Sequence, residues 1–316
     1  MNIVITGAGG FLGSHLCDSL LSQGHSIIAI DNFLTGQRKN ITRIQERWSA
    51  ERFTFIEADV CSPIDFLDGQ QIDQVYYLAS PASPIDYIKL PLETLYVGSF
   101  GCRNYLELAE RHNARFLLTS TSEVYGDPTI HPQPESYWGN VNPIGPRSVY
   151  DESKRYAESL TMAFHNHCQV EVRIARIFNT FGPRMRHDDG RVIPTFIKQA
   201  LYKEPLTIFG DGSQTRSFCF VSDLVRGLIT LMNNPLSIGP FNLGNPHELS
   251  MIQLASEINR LLNNSGNIVH QPLPENDPTR RRPDLTKTKS ILGWQPEVSF
   301  ADGIAKTISY FQDELG

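Results

Sequence analysis

A chain of 316 residues, 40% hydrophobic and 20% charged, is long enough for one large α/β domain or for a domain with a smaller lobe. Its net charge of -6 argues against a nucleic-acid groove or an anionic membrane surface, because both require clustered Lys and Arg. Five cysteines lie far apart without a CxxC pair, so neither a disulfide framework nor a metal site is predicted. The chain starts directly with a strand-like segment, and no apolar run approaches the length of a membrane span. We expect a cytoplasmic protein with no nucleic-acid or membrane partner.

The first half alternates short apolar runs with amphipathic stretches of helical period, which is typical of βαβ units and a parallel sheet. Strands are predicted at residues 2–6, 26–30, 53–57, 74–78, 115–120 and 171–177. After residue 182, Pro and Gly become frequent, and strands at 206–209 and 240–243 alternate with helices near 191–203, 222–233, 250–263 and 300–313. The pattern predicts a doubly wound α/β domain over residues 1–178 and a smaller lobe, mainly residues 179–316. Segments 215–238 and 296–316 are expected to pack on the first domain.

A glycine-rich turn follows the first predicted strand and opens a helix, with Gly7, Gly10 and Gly13 at GxxGxxG spacing. Such glycines allow a tight turn and let backbone N–H groups approach a pyrophosphate. The turn alone could also be a simple strand-to-helix connection. Asp31, however, ends the second strand where a ribose-binding carboxylate belongs, and there it would repel a 2′-phosphate. Together the two features predict a Rossmann-type domain that binds NAD rather than NADP.

The ends of the third and fourth strands extend the predicted cofactor site. Asp59 and Val60 end the third strand within reach of an adenine, although Asp59 alone could equally be a solvated strand-end residue. The small residues of LASPAS suit a crowded cofactor edge or a tight turn. The predicted NAD-binding residues are Gly7, Gly10, Phe11, Leu12, Gly13, Asp31, Asn32, Asp59, Val60, Leu78, Ala79, Ser80, Tyr150 and Lys154.

Tyr150 and Lys154 stand four residues apart, on one face of a predicted helix. The YxxxK spacing is common by chance, and it becomes specific only together with the glycine turn and Thr121 on the fifth strand. A lysine cation and a nicotinamide cation beside the phenol should lower the Tyr150 pKa towards neutrality. Tyr150 is therefore predicted to accept a proton from a sugar hydroxyl as hydride leaves for NAD.

With these motifs in place, the chain resembles the extended short-chain dehydrogenase/reductase family over essentially its whole length. The phrases LASPASPIDY, STSEVYGDP, YWGNVNPIGPRSVYDESKR, RIFNTFGPRM, GSQTRSFCFVSDL and RRRPD resemble the UDP-glucuronate decarboxylases within it. The resemblance implies oxidation of the sugar at carbon 4, loss of CO2, protonation at carbon 5 and re-reduction. It also implies a nucleotide-sugar-binding second lobe and a homodimer that pairs through the YxxxK helix and the stretch from Gly98 to Glu110.

The resemblance also assigns roles to the end of the fifth strand. Thr121 and Tyr150 would stabilise the enolate oxygen, and Glu123 and Arg281 would deliver the proton, through an ordered water. Ser122 stands where dTDP-glucose 4,6-dehydratases usually carry Asp; a neutral hydroxyl can donate to a substrate carboxylate that an Asp would repel. Glu123 could otherwise be a strand-end carboxylate that caps a turn.

Nucleotide and sugar contacts are implied for Pro81, Asn179, Arg216 and Arg281, with weaker candidates at Tyr137, Arg184, Gln214 and Lys198. One departure from the family is Gly98, where relatives commonly carry an Asn that could brace the catalytic strand; Asn104 remains nearby in sequence. The alternatives left open are a 4,6-dehydratase or 4-epimerase of the same family and a non-catalytic NAD-sensing protein. The last is disfavoured because both Tyr150 and Lys154 are present.

Overall fold

The computed structural model describes residues 1–235, 238–272 and 280–315. Its strands are β1 Asn2–Thr6, β2 Ser26–Asp31, β3 Phe53–Glu57, β4 Gln74–Tyr77, β5 Arg115–Thr121, β6 Val172–Ile177, β7 Thr180–Phe181, β8 Leu206–Phe209, β9 Thr215–Ser217, β10 Cys219–Phe220, β11 Phe241–Leu243, β12 Glu248–Ser250, β13 Ile268–Gln271 and β14 Arg280–Arg281. Its α-helices are α1 Phe11–Ser22, α2 Arg38–Arg47, α3 Pro84–Lys89, α4 Pro91–Tyr96, α5 Cys102–His112, α6 Ser148–Cys168, α7 Val192–Leu201, α8 Val221–Asn233, α9 Met251–Leu261, α10 Thr286–Leu292 and α11 Phe300–Leu315. Short 3-10 turns lie at Asp65–Leu67 and Ser122–Tyr125, and a π-helical turn lies at Val97–Gly101.

Seven strands form one parallel sheet in the order β11-β6-β5-β4-β1-β2-β3. From β1 the chain builds the sheet first towards β3 and then, from β4 onwards, in the opposite direction. In a doubly wound sheet this reversal opens a crevice outside the carboxyl ends of the strands, where ligands bind. The predicted α/β class with a Rossmann-type parallel sheet is confirmed.

Helices cover both faces of this sheet, and alternate residues of one strand point into different cores. On β1, Ile3 and Ile5 belong to one buried cluster, whereas Val4 belongs to the other. The first cluster also contains α1 and α8 side chains such as Leu20 and Leu224. Burial on both faces explains why the central strands read as nearly continuous apolar runs.

The carboxyl-terminal half adds small sheets beside the crevice: β7 pairs with β10, β8 with β13, and β9 lies between β12 and β14. The segment at 240–243, expected with these short strands, instead pairs in parallel with β6 and forms an edge of the large sheet. One hydrophobic core continues from β1 and α1 into α7, α8 and α9. The division of the chain near residue 178 stays a prediction. None of the described helices is long and apolar enough to cross a membrane.

The stretch around Gly98 is a π-helical turn that joins α4 to α5 and packs on α6. Tyr77 donates to the carbonyl of Val97 at 2.6 Å, and Ser153 of α6 donates to the carbonyl of Thr94 at 2.8 Å. A Cβ atom on Gly98 would lie 2.0 Å from the Ser153 hydroxyl and 2.8 Å from its carbonyl oxygen. A side chain at position 98 is therefore excluded here by the approach of α6.

The close approach at Gly98 predicts that Gly98→Ala is destabilising. Overpacking of a well-packed contact costs about 1–3 kcal/mol, and we expect the free energy of unfolding in urea to fall by that amount. Ser153→Ala in the same chain should restore part of the loss, because it removes the nearest clashing atom but not the carbonyl. Unchanged stability of Gly98→Ala, or additive losses in the double variant, would contradict this packing.

Candidate active site

One large cleft of about 1070 Å³ runs along the carboxyl ends of the sheet and under the small sheets of the second half. Most of the predicted site residues line it: Gly7, Gly10, Phe11, Leu12, Gly13, Asp31, Asn32, Asp59, Val60, Leu78, Ala79, Ser80, Pro81, Thr121, Ser122, Glu123, Tyr150, Lys154, Asn179, Arg184, Gln214, Arg216 and Arg281. The fold thus brings these residues together, and their individual roles stay predictions. The cleft is large enough for a dinucleotide and a nucleotide sugar to lie end to end.

The glycine turn fits a pyrophosphate because side chains are excluded from it. A Cβ atom on Gly13 would lie 2.1 Å from the carbonyl oxygen of Gly7. Gly7 has a φ of +69°, and a Cβ atom on it would clash with the backbone of Ala79. The turn leads directly into α1, whose N-cap residue is Gly10. Backbone N–H groups at the start of this helix are therefore left to bind an anion.

Asp31 is fixed at the end of β2 by two backbone donors. The N–H of Gly9 donates to Asp31 Oδ2 at 2.9 Å, and the N–H of Phe33 donates to Oδ1 at 2.7 Å. Burial raises the pKa of the carboxyl, and these hydrogen bonds act in the opposite direction. Each oxygen retains a lone pair, so a pair of vicinal ribose hydroxyls can still donate to it.

The part of the cleft beside the ends of β2 and β3, where the adenine is predicted, contains a second set of fixed polar groups. Asn32 donates to Asp59 Oδ2 at 3.2 Å, and the N–H of Cys61 donates to Asp59 Oδ1 at 2.8 Å. Asn104, which is near Gly98 in sequence, donates to the carbonyls of Val60 and Ser62 at 3.0 and 3.1 Å. Asn104 therefore supports the loop after β3 rather than the catalytic strand.

The hydroxyl groups at the end of β5 make hydrogen bonds within the protein, and they also line the cleft, where a ligand can contact them. Thr119 donates to the carbonyl of Tyr77 at 2.9 Å, and Ser120 donates to Glu158 at 2.5 Å. Thr121 accepts from the N–H of Glu123 at 3.2 Å and so caps the 3-10 turn Ser122–Tyr125. This cap turns the chain so that Ser122 and Glu123 line the cleft directly after the strand.

Glu123 is bound by two arginines from distant parts of the chain. Arg281, only 3% exposed, forms an ion pair with Oε1, and Arg147 donates to Oε2 at 2.5 Å. Arg281 also donates to the carbonyl of Gly126 at 3.0 Å. Burial raises the pKa of Glu123, but the charges of Arg281 and Arg147 outweigh it and hold the pKa at about 2. Glu123 is therefore a carboxylate at every physiological pH.

Tyr150 and Lys154 project from α6 into the cleft, as the YxxxK spacing predicted. The predicted fall in the Tyr150 pKa requires a nicotinamide cation as well as Lys154 and stays a prediction; in the chain by itself, burial raises the pKa to about 12, more than a hydrogen bond with Thr121 lowers it. Lys154 is buried too; its pKa is lowered to about 8, its ammonium donates to the carbonyl of Thr119 at 2.9 Å, and it lies 5.9 Å from the centre of the Tyr150 ring. Lysine alone does not offset the desolvation of the phenol.

The predicted substrate residues differ in how many of their side-chain groups already bind other parts of the protein. Arg216 and Arg281 are register partners in the β9–β14 pair. Arg184 forms an ion pair with Asp18 of α1 at 2.5 Å, and Gln214 donates to the carbonyl of Phe209 at 2.6 Å. Each keeps further hydrogen-bonding groups for a substrate, because a guanidinium has five N–H donors and the Gln214 amide has a second N–H and an oxygen.

The two remaining weak candidates do not line the cleft in the described part of the chain. Tyr137 stacks on Tyr125, with ring centres 6.0 Å apart, and accepts from the N–H of Thr129 at 3.1 Å. Lys198 lies on α7, half-buried and away from the lining. The Lys198 hypothesis has no geometric support, and Tyr137 has a structural explanation.

Sequence reasoning missed Arg147 and Tyr87. Arg147 precedes Tyr150 by three residues at the start of α6, a spacing that places both on one side of the helix and could have suggested it. Tyr87 of α3 stacks on Tyr150 with ring centres 5.1 Å apart and planes 6° from parallel. No pattern in the sequence pointed to Tyr87, because the contact depends on how α3 packs on α6.

A comparison with family models matches residues 3–244 to the NAD dependent epimerase/dehydratase family. The chain belongs to this family. Its NAD dependence agrees with the glycine turn and Asp31, and NAD is confirmed as the cofactor class.

Similar proteins show which members of the family this chain resembles in sequence. The chain is 52% identical over 315 residues to UDP-glucuronic acid decarboxylase 2 of Arabidopsis thaliana, covering 100% of the chain and 69% of that relative. It is 52% identical over 314 residues to UDP-glucuronic acid decarboxylase 1 of Xenopus tropicalis, covering 99% of the chain and 72% of the relative. The resemblance inferred from contiguous sequence phrases is thus confirmed.

Solved structures of the family share the fold at lower identity. A UDP-glucose 4-epimerase from Thermotoga maritima with UDP-glucose superposes with a TM-score of 0.91 at 27% identity, covering 100% of both chains. A UDP-glucuronic acid 4-epimerase from Bacillus cereus, solved with UDP-glucuronic acid and NAD, has a TM-score of 0.88 at 29% identity and covers 99% of this chain and 100% of its own. Both solved structures are 4-epimerases, whereas the sequence relatives above are decarboxylases, so similarity of fold alone does not identify the reaction.

Proposed function

We propose that this protein is an NAD-dependent UDP-glucuronate decarboxylase that forms UDP-xylose through a UDP-4-keto intermediate. The observation that carries the proposal is the Glu123–Arg281 ion pair beside Thr121, Ser122 and Tyr150. A simple 4-epimerase needs no proton-transfer group at carbon 5, whereas decarboxylation leaves a carbon there that must be protonated. The curated decarboxylases, about half identical over the whole chain, support the same reaction.

The first chemical step is oxidation at carbon 4. Bound NAD supplies a reversible hydride acceptor and a positive charge close to Tyr150. That charge and Lys154 favour the phenolate, against the burial that raises the pKa of Tyr150. The phenolate oxygen takes the proton of the carbon 4 hydroxyl, and Thr121, hydrogen-bonded to Tyr150, holds the same oxygen in place.

The second step breaks the bond between carbon 5 and the carboxylate. The 4-keto acid releases CO2, and the two electrons of that bond form an enolate on the carbon 4 oxygen. Tyr150, now protonated, and Thr121 can donate hydrogen bonds to this oxygen. Ser122, a neutral residue beside the site, does not repel the departing carboxylate as an Asp would.

The third step places a proton on carbon 5. Glu123 is ionised and cannot itself be the acid, because its arginine partners hold the pKa at about 2. Its carboxylate can instead orient a water that donates a proton to carbon 5, and a proton from solvent neutralises the hydroxide that is left. Arg281 fixes the carboxylate during this step. Re-reduction of carbon 4 would complete the cycle, and Tyr150 would return its proton to the carbon 4 oxygen.

We infer that the nucleotide of the substrate lies under the small sheets, where Asn179, Arg184, Gln214 and Arg216 line the cleft. Arg216 offers a planar fork that suits a diphosphate. The cytoplasmic location stays a prediction from the cysteine pattern.

Product analysis tests the proposal. The NAD-supplemented protein should convert UDP-glucuronate into a UDP-pentose with one CO2 released per turnover, and dTDP-glucose should give no dehydrated sugar. Tyr150→Phe should lose at least about 100-fold in kcat, the usual contribution of a general base, while NAD affinity stays unchanged. A six-carbon epimer without CO2 would indicate a 4-epimerase, and NAD binding without turnover of any UDP-, dTDP- or GDP-sugar would indicate a sensor; either result contradicts the proposal.

We also propose a homodimer that pairs through α3, α4, α5 and α6. Large apolar side chains recur every four residues along this surface, and all are exposed in the single chain: Ile88, Leu92, Tyr96 and Phe100. Tyr156 of α6 is exposed as well. An apolar stripe of this kind is uncommon on a monomer surface and typical of a helical interface.

The apolar stripe predicts that a charge at its end prevents association. Phe100→Asp should convert a dimer into a monomer at micromolar concentration, as measured by light scattering after size-exclusion chromatography. Ile291→Asp, at a residue 45% exposed on α10, is the matched control and should leave the dimer intact. A monomeric unmodified protein, or a Phe100→Asp dimer, would contradict the proposed surface.

A further inference from the structure

Arg147 occupies a position that the proposed reaction steps do not use. It is the N-cap residue of α6, and its carbonyl accepts from the N–H groups of Tyr150 and Asp151 at 3.1 and 3.2 Å. Its side chain crosses to Glu123 at the end of β5, so one residue joins the start of the catalytic helix to the carboxylate on the catalytic strand. Arg147 also lines the cleft.

The two arginines on Glu123 are not equivalent. Arg281 comes from β14, binds Oε1 and is fully buried, with a further bond to Gly126. Arg147 binds Oε2 from the side of Tyr150 and, like Glu123, keeps 16% of its side chain exposed. With both oxygens bound by different cations, the carboxylate cannot rotate without breaking a charge-assisted hydrogen bond, and protonation would weaken its attraction to both cations.

We propose that Arg147 is a positioning residue that keeps the Glu123 carboxylate ionised and fixed beside Tyr150 for the protonation of carbon 5. This inference rests on the proposed decarboxylase function. Arg147 acts through Glu123, because it supplies the cationic partner of Oε2 whereas Arg281 binds Oε1. The alternative is that Arg147 binds the carboxylate of the substrate directly.

The other charged and titratable groups around Glu123 act in both directions. Arg216 on β9 lowers the pKa of Glu123 further, after Arg281 and Arg147. Asp151 on α6 is buried with Oδ1 lacking a hydrogen-bond partner among the described residues, and burial and the charge of Glu123 raise its pKa. In the chain by itself, burial raises the pKa of both Tyr150 and Tyr87.

The sign of the expected pH effect is set by these charges. Arg147 lowers the pKa of Glu123, so removing its charge must raise that pKa. If the carboxylate is the active form, activity is lost as the pH falls through this pKa. An opposite charge at this distance shifts a carboxyl pKa by about 1–3 units, and the acidic limb of the kcat profile should therefore move upwards by about one unit or more in Arg147→Met.

The test compares Arg147→Met, Arg147→Lys and Arg260→Met, the last removing an arginine from an exposed ion pair with Glu257 on α9. CO2 release from UDP-glucuronate is measured between pH 2.5 and 8.5, a range that starts just above the Glu123 pKa of about 2 in the unmodified protein. We expect Arg147→Met to lose at least about 10-fold in kcat with little change in KM, to shift the acidic limb and to release more 4-keto pentose. Arg147→Lys should keep the limb in place, and Arg260→Met should behave as the unmodified protein.

A second measurement does not depend on turnover. Carbon-13 NMR of glutamate-labelled protein, with Glu123→Gln to assign the signal, should show no titration of Glu123 above pH 4 in the unmodified protein and a titration moved upwards in Arg147→Met. A raised KM with an unmoved limb would show that Arg147 binds the substrate, and an unchanged Glu123 titration would overturn the proposal. Absence of CO2 from the unmodified protein would instead overturn the decarboxylase function, so the two failures are distinguishable.

Discussion

The ion pair between Glu123 and Arg281 is the interaction on which the rest of the site depends. It joins the 3-10 turn after β5 to β14, although Glu123 and Arg281 are 158 residues apart in the chain. Both residues line the cleft. A carboxylate in such a place is costly unless it is paired. The fold provides two cations for it, and the result is an ionised group in the same cleft as Tyr150 and Thr121, the residues proposed to bind the carbon 4 oxygen.

The same arrangement explains why one backbone serves different reactions. In the proposed mechanism, the glycine turn, Asp31 and the YxxxK pair equip the cleft for reversible oxidation at carbon 4, and the charges beside carbon 5 decide the fate of the oxidised sugar. Two solved structures of similar fold are 4-epimerases. Ser122 and the ionised Glu123 suit the loss of a carboxylate and the return of a proton, whereas an Asp at position 122 would oppose it.

Local signals predicted most of the fold, because the parallel strands are buried on both faces and read as short apolar runs. The turn at Gly7 to Gly13 and the Tyr150–Lys154 spacing are also local, and both could be found from the sequence. Three features could not. The pairing of 241–243 with β6, the stacking of Tyr87 on Tyr150 and the raised pKa of Tyr150 all depend on tertiary packing and on burial. The three-residue spacing to Tyr150 could have pointed to Arg147, but its contact with Glu123 could not be predicted from the sequence.

The most direct test of the central claim traces the hydrogen atoms during one turnover. UDP-glucuronate deuterated at carbon 4 is converted by the NAD-supplemented protein in ordinary water, and the unlabelled substrate is converted in deuterium oxide. We predict that the pentose retains deuterium at carbon 4 in the first experiment and acquires one solvent deuterium at carbon 5 in the second. Loss of the carbon 4 label to the medium, or a pentose without solvent deuterium at carbon 5, would contradict this mechanism.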